Sequence, residues 1–157
     1  MELVIFIGLQ GSGKSTFFRA HFASTHEHIS KDLFPNNKKP SRRQAQLIET
    51  AFQAQLSVVV DNTNPTREER KPIIELGCKY DASVVGYYFE SQVSQCRDRN
   101  QQRGGKARVP DVAIYSTIKK LEPPSYTEGF HKLFYVRIVS KSTFEVSDWI
   151  EDEVIDG

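Results

Sequence analysis

The sequence of 157 residues contains little cysteine, a single tryptophan and no long apolar segment. Its two cysteines, Cys78 and Cys96, do not form a C-x-x-C pair and have no ligand cluster near them. This usage excludes a disulfide framework and indicates a reducing compartment. No apolar run approaches the roughly 20 residues that cross a bilayer, and the first residues lack the pattern of a secretory leader. We therefore expect a cytoplasmic protein with no membrane partner.

Net charge is also small, since 21 basic and 20 acidic side chains give +1. The balance is uneven along the chain, because residues 148–157 hold five acids and no Lys or Arg. The length predicts one domain, which we place at residues 1–147 with an acidic tail at 148–157. Two segments, 31–43 and 97–108, each carry a local charge of +4, and their basic residues are Lys31, Lys38, Lys39, Arg42 and Arg43, then Arg97, Arg99, Arg103, Lys106 and Arg108.

Short apolar runs alternate with segments of helical periodicity. Residues 3–7, 57–60, 84–89 and 133–139 are predicted strands, and residues 26–30 are a weaker fifth candidate. Residues 41–55 are a predicted helix with a capping box formed by Ser41 and Gln44. A second helix is expected from Asn64 and Pro65 to about Leu76, with Gly77 as its stop signal. Alternating strands and helices predict an α/β fold with a central parallel sheet.

Residues 8–15 fit the phosphate-loop pattern GxxxxGK[ST], and they lie between a predicted strand and a helical segment. Glycines let backbone N–H groups surround phosphate oxygens, the lysine reaches the β- and γ-phosphates, and the Ser hydroxyl ligates Mg²⁺. The alternative, an ordinary Gly-rich turn, does not account for the position of the motif. We expect ATP to be held by Gly8, Gln10, Gly11, Ser12, Gly13, Lys14, Ser15 and Thr16.

Two aspartates follow predicted strands and are candidates for chemistry at the same sheet edge. Asp32 lies after the second strand, where a carboxylate can accept a proton from an attacking hydroxyl. Asp61 ends the third strand, where it can hold Mg²⁺ together with Ser15. The alternatives are a solvated turn or helix cap at Asp32 and the start of a polar turn at Asp61.

Arg99 and Arg103 are four residues apart, so on a helix they share one face. Like charges at this spacing destabilise a helix by roughly 0.2–0.5 kcal/mol unless an anion lies between them. Gly104 and Gly105 follow directly and supply flexible backbone. The segment is a predicted lid in which Arg99 and Arg103 close over the triphosphate, and a solvated helix face is the alternative.

The combination of the phosphate loop, Lys31-Asp32, residues 61–65 and the Arg99/Arg103 pair resembles the 5′-hydroxyl polynucleotide kinases, including the kinase module of the polynucleotide kinase phosphatases. Residues 123–130 are also similar to the end of that module. The resemblance covers residues 3–138, and it implies a P-loop kinase-like three-layer fold with a helical lid. It further implies transfer of the γ-phosphate of ATP to the 5′-hydroxyl of a DNA or RNA end. Asp32 would be the general base, Lys14 and Arg103 would neutralise the transferred group, and Arg99 would support the lid.

One position departs from the family pattern. The phage-type kinase has an acceptor-binding Arg three residues after the catalytic Asp, whereas this chain has Pro35. The nearby basic residues Lys38, Lys39, Arg42 and Arg43 are candidate replacements. The expected acceptor contacts are Lys31, Asp32, Arg42, Arg43, Thr63 and Asn64. Two alternatives stay open, a P-loop kinase of a small hydroxylated metabolite (sugar, nucleoside or nucleotide) and a non-catalytic ATP-binding protein.

Overall fold

The computed structural model describes residues 1–105, 108–140 and 143–151. Lys106 of the second basic segment and residues 152–157 of the predicted tail lie outside these ranges. Within the described ranges the chain forms six strands and five helices, together with 3₁₀ turns at Lys31–Leu33 and Tyr126–Glu128. The strands are β1 (Glu2–Ile7), β2 (His26–Ile29), β3 (Ser57–Asp61), β4 (Ser83–Phe89), β5 (Lys132–Ser140) and β6 (Thr143–Asp148). The helices are α1 (Lys14–His21), α2 (Pro40–Gln53), α3 (Arg67–Lys79), α4 (Val93–Gln101) and α5 (Asp111–Lys120).

All six strands form one sheet in the order β2-β3-β1-β4-β5-β6. The first five strands pair in parallel, which confirms the predicted parallel sheet and its weaker strand at residues 26–30. The sixth strand was not predicted, and it pairs antiparallel with β5. A short connection joins only antiparallel neighbours, so the sheet is mixed at this edge.

Helices cover both faces of the sheet and give the three-layer arrangement. The five residues from Leu3 to Ile7 of β1 are fully buried. On one face the core contains Ile48 and Phe52 of α2 and Ile73 of α3, whereas Phe17 of α1 packs on the other face. A central parallel strand that is buried on both sides needs apolar residues at successive positions, which explains the uninterrupted run in β1.

The start of α3 differs from the prediction. Its N-cap is Thr66, whose hydroxyl accepts a hydrogen bond from the Glu69 N–H at 3.1 Å. Asn64 has φ 45° and lies outside the helix. The Asn64 side chain donates to the Phe6 carbonyl at 2.8 Å, so a contact with β1 prevents it from capping the helix.

Gly77 is not the stop of α3, because the helix continues to Lys79. A Cβ at this position would lie 2.8 Å from side-chain atoms of Leu3 and Val84. The glycine therefore permits close packing of the helix on the sheet rather than ending the helix.

The predicted capping box of α2 is also wrong. The N-cap is Lys39, which makes no side-chain cap, and Pro40 occupies the first turn. Gln44 is buried, and its Oε1 accepts a hydrogen bond from Asn62 Nδ2 at 2.6 Å. This contact with a distant loop replaces the local capping role of the Gln44 side chain.

The described part of the predicted tail packs on the sheet. Asp148 is the last residue of β6 and pairs with Phe134. The Trp149 ring lies 5.1 Å from the ring of Tyr88, and Glu151 accepts a hydrogen bond from the backbone N–H of Tyr126. The division between a domain at 1–147 and a tail at 148–157 stays a prediction.

Among the described helices, none combines the length and apolarity that a bilayer crossing requires. Both cysteines are free, and Cys78 is exposed whereas Cys96 is buried.

Candidate active site

The carboxyl ends of the parallel strands meet at one sheet edge and frame a cleft of about 500 Å³. The phosphate loop follows β1, Lys31 and Asp32 follow β2, and residues 61–64 end β3 or follow it. Ligands in open parallel sheets bind at this edge. The predicted site residues that line the cleft are Gln10, Lys14, Ser15, Lys31, Asp32, Asp61, Thr63, Asn64 and Arg103.

The phosphate loop has the backbone that its glycines allow. Gly11 and Gly13 have φ values of 80° and 92°, in the left-handed region that favours glycine. Gly13 also packs tightly on the β5–β6 hairpin, because a Cβ there would lie 2.7 Å from Ile138 Cδ1. The loop ends at Lys14, the first residue of α1, so the helix N-terminus points to the cleft. This arrangement fits an anion such as a triphosphate.

The remaining residues of the loop segment have different environments. Gly8 and Ser12 are buried, and Thr16 is exposed. Gln10 donates a hydrogen bond to Thr117 Oγ1 of α5 at 3.0 Å. Gln10 thus joins the loop to the helix that follows the lid.

The Lys14 side chain folds back over the loop. Its Nζ donates to the carbonyl oxygens of Leu9 at 2.7 Å and Gly8 at 3.1 Å. Burial lowers the pKa of Lys14 to about 8, Asp61 opposes this effect, and Arg103 lowers the pKa further. The ammonium group is therefore poorly compensated until an anion enters the loop.

Ser15 and Asp61, the two predicted Mg²⁺ ligands, lie in contact with each other. Ser15 Oγ donates to Asp61 Oδ2 at 2.9 Å, and His28 Nε2 lies 2.8 Å from the same oxygen. The His28 ring stacks on Phe18 at 4.2 Å. Hydroxyl and carboxylate oxygens suit Mg²⁺, which commonly takes one or two protein ligands and completes its shell with phosphate and water. The described residues contain no larger group of His, Cys, Asp or Glu that could hold a metal.

Asp32 lies on the 3₁₀ turn that follows β2. Its backbone N–H donates to Ser30 Oγ at 3.3 Å, and the N–H of Lys31 donates to Asn62 Oδ1 at 2.9 Å. These bonds fix the turn against the end of β3. The Asp32 carboxylate is exposed in the cleft and has no hydrogen bond or ion pair within the described ranges. It is therefore available to an acceptor.

The loop after β3 is held by backbone and buried contacts. The N–H of Gly8 donates to the Thr63 carbonyl at 3.0 Å. Arg70, fully buried, donates to the Asn64 carbonyl at 2.9 Å and forms a two-pronged ion pair with Glu128, with distances of 2.8 and 3.1 Å. The Asn64 amide is engaged with β1, so only the remaining surface of this residue faces the cleft.

The lid differs from the prediction in one respect. Helix α4 ends at Gln101, so Arg103 lies beyond it and does not share a helical face with Arg99. Arg99 Nη1 donates to the Gly11 carbonyl at 3.1 Å, whereas Arg103 lines the cleft. The cause is Asn100, whose side chain donates to the Val109 carbonyl at 2.6 Å and accepts from the Val109 N–H at 2.9 Å. These bonds turn the chain back after α4.

Arg42 and Arg43 are not brought into the cleft. Both are exposed on the first turn of α2, and the residues of α2 that line the cleft are Ser41, Gln44, Ala45 and Ile48. Pro35 is exposed in the segment before α2. The wall that α3 contributes contains Glu69 and three apolar residues, Pro72, Ile73 and Leu76.

Residues 3–124 match the model of a protein family described as AAA domain. The chain belongs to this family. The AAA-domain chain is similar to a bifunctional polynucleotide phosphatase/kinase of Schizosaccharomyces pombe, with 27% identity over 133 residues, covering 82% of this chain and 32% of the relative. It is also similar to an L-seryl-tRNA(Sec) kinase of Methanococcus maripaludis, with 26% identity, covering 78% of this chain and 53% of the relative. The chain thus spans about a third of the length of the first of these curated relatives and about half of the length of the second.

Among solved structures, a gluconokinase from Sinorhizobium meliloti has the same fold, with a TM-score of 0.65 and 18% identity. The match covers 90% of the AAA-domain chain and 85% of that structure. The resemblance to the polynucleotide kinase family is confirmed, and the chain has a P-loop kinase-like fold that contains a phosphate loop. The relatives act on different acceptors according to their names.

Three polar residues of this AAA-domain chain were not expected at the site. His28 contacts Asp61, Arg70 holds the loop after β3, and Asn100 closes the base of the lid. His28 and Arg70 contact residues that are distant in sequence, whereas Asn100 contacts Val109, nine residues further along the chain. The sequence signal that could have indicated these residues is a polar side chain at a position that helical or strand periodicity predicts to be buried.

Proposed function

We propose that the protein is an ATP- and Mg²⁺-dependent kinase that phosphorylates the 5′-hydroxyl of DNA or RNA ends. The observation that carries the proposal is the Asp32 carboxylate, which is unengaged within the described residues and lines the same cleft as Lys14 and Arg103. A base, a phosphate-binding lysine and a lid arginine around one cleft are the groups that phosphoryl transfer requires.

In the proposed reaction Asp32 accepts the proton of the acceptor hydroxyl as its oxygen attacks the γ-phosphorus of ATP. The bond from the γ-phosphorus to the bridging oxygen breaks, and ADP leaves. Lys14 and Arg103 stabilise the negative charge on the transferred phosphoryl group. Ser15 and Asp61 would hold Mg²⁺, which would supply positive charge to neutralise the triphosphate. The contact of His28 with Asp61 orients that carboxylate.

Two features support a nucleotide-like acceptor. The cleft lining combines the Asp32 carboxylate with the apolar side chains of Ile48, Ile73 and Leu76, a combination that suits a sugar hydroxyl and a nucleobase. The sequence similarity to a polynucleotide phosphatase/kinase supports the same class.

The second candidate is a kinase of a small hydroxylated metabolite. The position of Arg42 and Arg43 outside the cleft favours it, because a cleft without those guanidinium groups offers less charge to a phosphodiester backbone. An assay with labelled ATP and Mg²⁺ that offers 5′-hydroxyl DNA, 5′-hydroxyl RNA, nucleosides and sugars side by side decides between the two. We expect label on the polynucleotides, and label on small molecules alone would refute the proposal.

The role of Asp32 is tested by Asp32→Asn in the same assay. Loss of a general base lowers kcat by roughly 10²–10⁴-fold, and ATP affinity should stay the same. The matched control is Asp81→Asn, the same substitution in the exposed turn before β4, where φ 56° suits asparagine. ATP binding without transfer in the unmodified protein would instead support a non-catalytic nucleotide-binding protein.

A further inference from the structure

Charged side chains that line the cleft are not all accounted for by the proposed reaction. Lys14 and Arg103 serve the triphosphate, Asp61 serves Mg²⁺, and Asp32 serves the acceptor hydroxyl. Lys31 also lines the cleft and is already a predicted acceptor contact, whereas Glu69 and Lys120 line the cleft and have no role in the proposed reaction. Lysine side chains in a cleft that binds a nucleotide acceptor are candidates for its phosphate.

Lys120 reaches the cleft from the end of α5. Thr117, one turn earlier on that helix, contacts Gln10 of the phosphate loop. From there the Lys120 side chain extends towards α3, and its Nζ lies 3.8 Å from Glu69 Oε1. Lys120 therefore lies beside the wall that α3 contributes, which also contains Pro72, Ile73 and Leu76.

Hydrogen bonds fix the backbone next to the Lys120–Glu69 ion pair, whereas the ion pair itself is exposed and weak. The N–H of Glu122 donates to the Pro65 carbonyl at 2.7 Å, and the N–H of Arg67 donates to Glu122 Oε1 at 3.2 Å. These bonds hold the segment after α5 against the start of α3. The Lys120 and Glu69 side chains are 51% and 48% exposed, and exposed ion pairs are weak. An anion can thus replace Glu69 at Lys120 without movement of the helices.

We propose that Lys120 binds a phosphate group of the acceptor and that Glu69 competes with that phosphate for Lys120. The phosphate is either the phosphodiester of a polynucleotide or the monoester of a nucleotide. This inference rests on the proposed function and extends it, because it places phosphate recognition on α5 rather than near Pro35. Lys120 is a binding and specificity residue that takes no part in proton transfer.

The test compares three acceptors that share a 5′-hydroxyl: a nucleoside, a nucleoside 3′-monophosphate and a dinucleotide. Kinetic constants are measured for the full chain and for Lys120→Met, Lys120→Arg and Glu69→Gln. The control variants are Lys79→Met and Glu49→Gln, which remove an ion pair of 3.5 Å that joins α2 and the last turn of α3 and lies outside the cleft lining. Binding of the dinucleotide in the presence of ADP is measured by calorimetry for the same proteins.

We expect Lys120→Met to raise the KM of the phosphate-bearing acceptors about tenfold relative to the nucleoside, with kcat little changed. Lys120→Arg should restore most of the preference, and Glu69→Gln should lower the same KM by about twofold. The controls should leave the preference unchanged. A stronger effect on the dinucleotide identifies a phosphodiester, and a stronger effect on the monophosphate identifies a nucleotide.

Equal effects of Lys120→Met on all three acceptors, or no effect, would overturn the inference. If the unmodified chain phosphorylates only sugars or nucleosides, both the inference and the proposed function fail. If it transfers phosphate to none of the acceptors, calorimetry decides, since dinucleotide binding that Lys120→Met weakens supports the phosphate site, whereas unchanged or absent binding overturns it. If the unmodified chain phosphorylates polynucleotides and Lys120→Met leaves its acceptor preference unchanged, the inference fails and the proposed function stands.

Discussion

Binding of ATP should be coupled to proton uptake by Lys14 at alkaline pH. In the free protein burial lowers the pKa of Lys14 to about 8, so the group loses its proton well below the ordinary value of 10.5. A bound triphosphate places several negative charges beside Nζ and favours the charged form. The pKa of Lys14 in the complex therefore rises, and binding takes up a proton wherever free Lys14 is neutral.

The size of the effect follows from the pKa. At pH 8.5 a group with the pKa of about 8 found for Lys14 is about 80% neutral, which predicts uptake of about 0.8 proton per ATP bound. At pH 7 the same group is about 90% charged, and uptake falls to about 0.1 proton. Since protons are taken up, ATP affinity should decrease as pH rises from 7.5 to 9.

Calorimetry measures this uptake directly. The enthalpy of ATP binding is determined at pH 8.5 in two buffers with different ionisation enthalpies, and the difference divided by the difference in ionisation enthalpy gives the protons exchanged. Lys14→Arg is the control, because arginine keeps its charge throughout this range. Cys96→Ala excludes the nearby thiol as the source. Identical enthalpies for the unmodified protein in both buffers would refute the assignment of a low pKa to Lys14.

Two further predictions concern contacts that hold the site. Glu128→Ala leaves the fully buried Arg70 without its carboxylate partner and should lower the free energy of unfolding, measured in urea, by about 3–5 kcal/mol. The control Glu145→Ala breaks an exposed ion pair with Arg137 and should lower the free energy of unfolding by less than about 1 kcal/mol. A cost below 1 kcal/mol for both variants contradicts the argument. Asn100→Ala removes both hydrogen bonds to Val109, so it should destabilise the lid by about 1–3 kcal/mol and raise the KM for ATP. Asn100→Asp should have an intermediate effect, because it keeps the oxygen that accepts from the Val109 N–H. An unchanged KM in both Asn100 variants would show that the base of the lid does not position Arg103.

The parallel core and the phosphate loop were predictable because their signals are local. The apolar run of β1 predicts a buried strand, and the glycines of residues 8–15 predict a phosphate loop, without reference to any distant residue. Asp61 at the end of β3 follows from the same reasoning, since the carboxyl ends of parallel strands meet at one edge. These residues lie where the pattern places them.

Other features depend on contacts between distant segments. Asn64 resembles a helix cap, but its amide binds the carbonyl of Phe6 in β1. Gln44 resembles half of a capping box, but it accepts a hydrogen bond from Asn62. Polar side chains have several possible partners of similar energy, and only the assembled fold selects among them.

The edge strand β6 shows a different limit. Four of its six residues are polar, and most of the strand is exposed, so it lacks the apolar run that marks β1, β3, β4 and β5. Its alternating Phe144 and Val146 are a weak signal in a segment that also contains acidic residues. The pairing with β5 supplies the stabilisation that the composition does not indicate.

The two reacting halves of the proposed site differ in how firmly the sheet holds them. The phosphate loop follows β1, which has a neighbour on each side, whereas Asp32 follows β2, a strand of four residues at the sheet edge that pairs only with β3. Edge segments with few ladder partners open locally at a lower free energy than the core. Partial opening of β2 would separate the Asp32 carboxylate from a triphosphate that stays bound. Loss of the few hydrogen bonds between β2 and β3 would therefore abolish the proposed phosphoryl transfer while nucleotide binding stays intact.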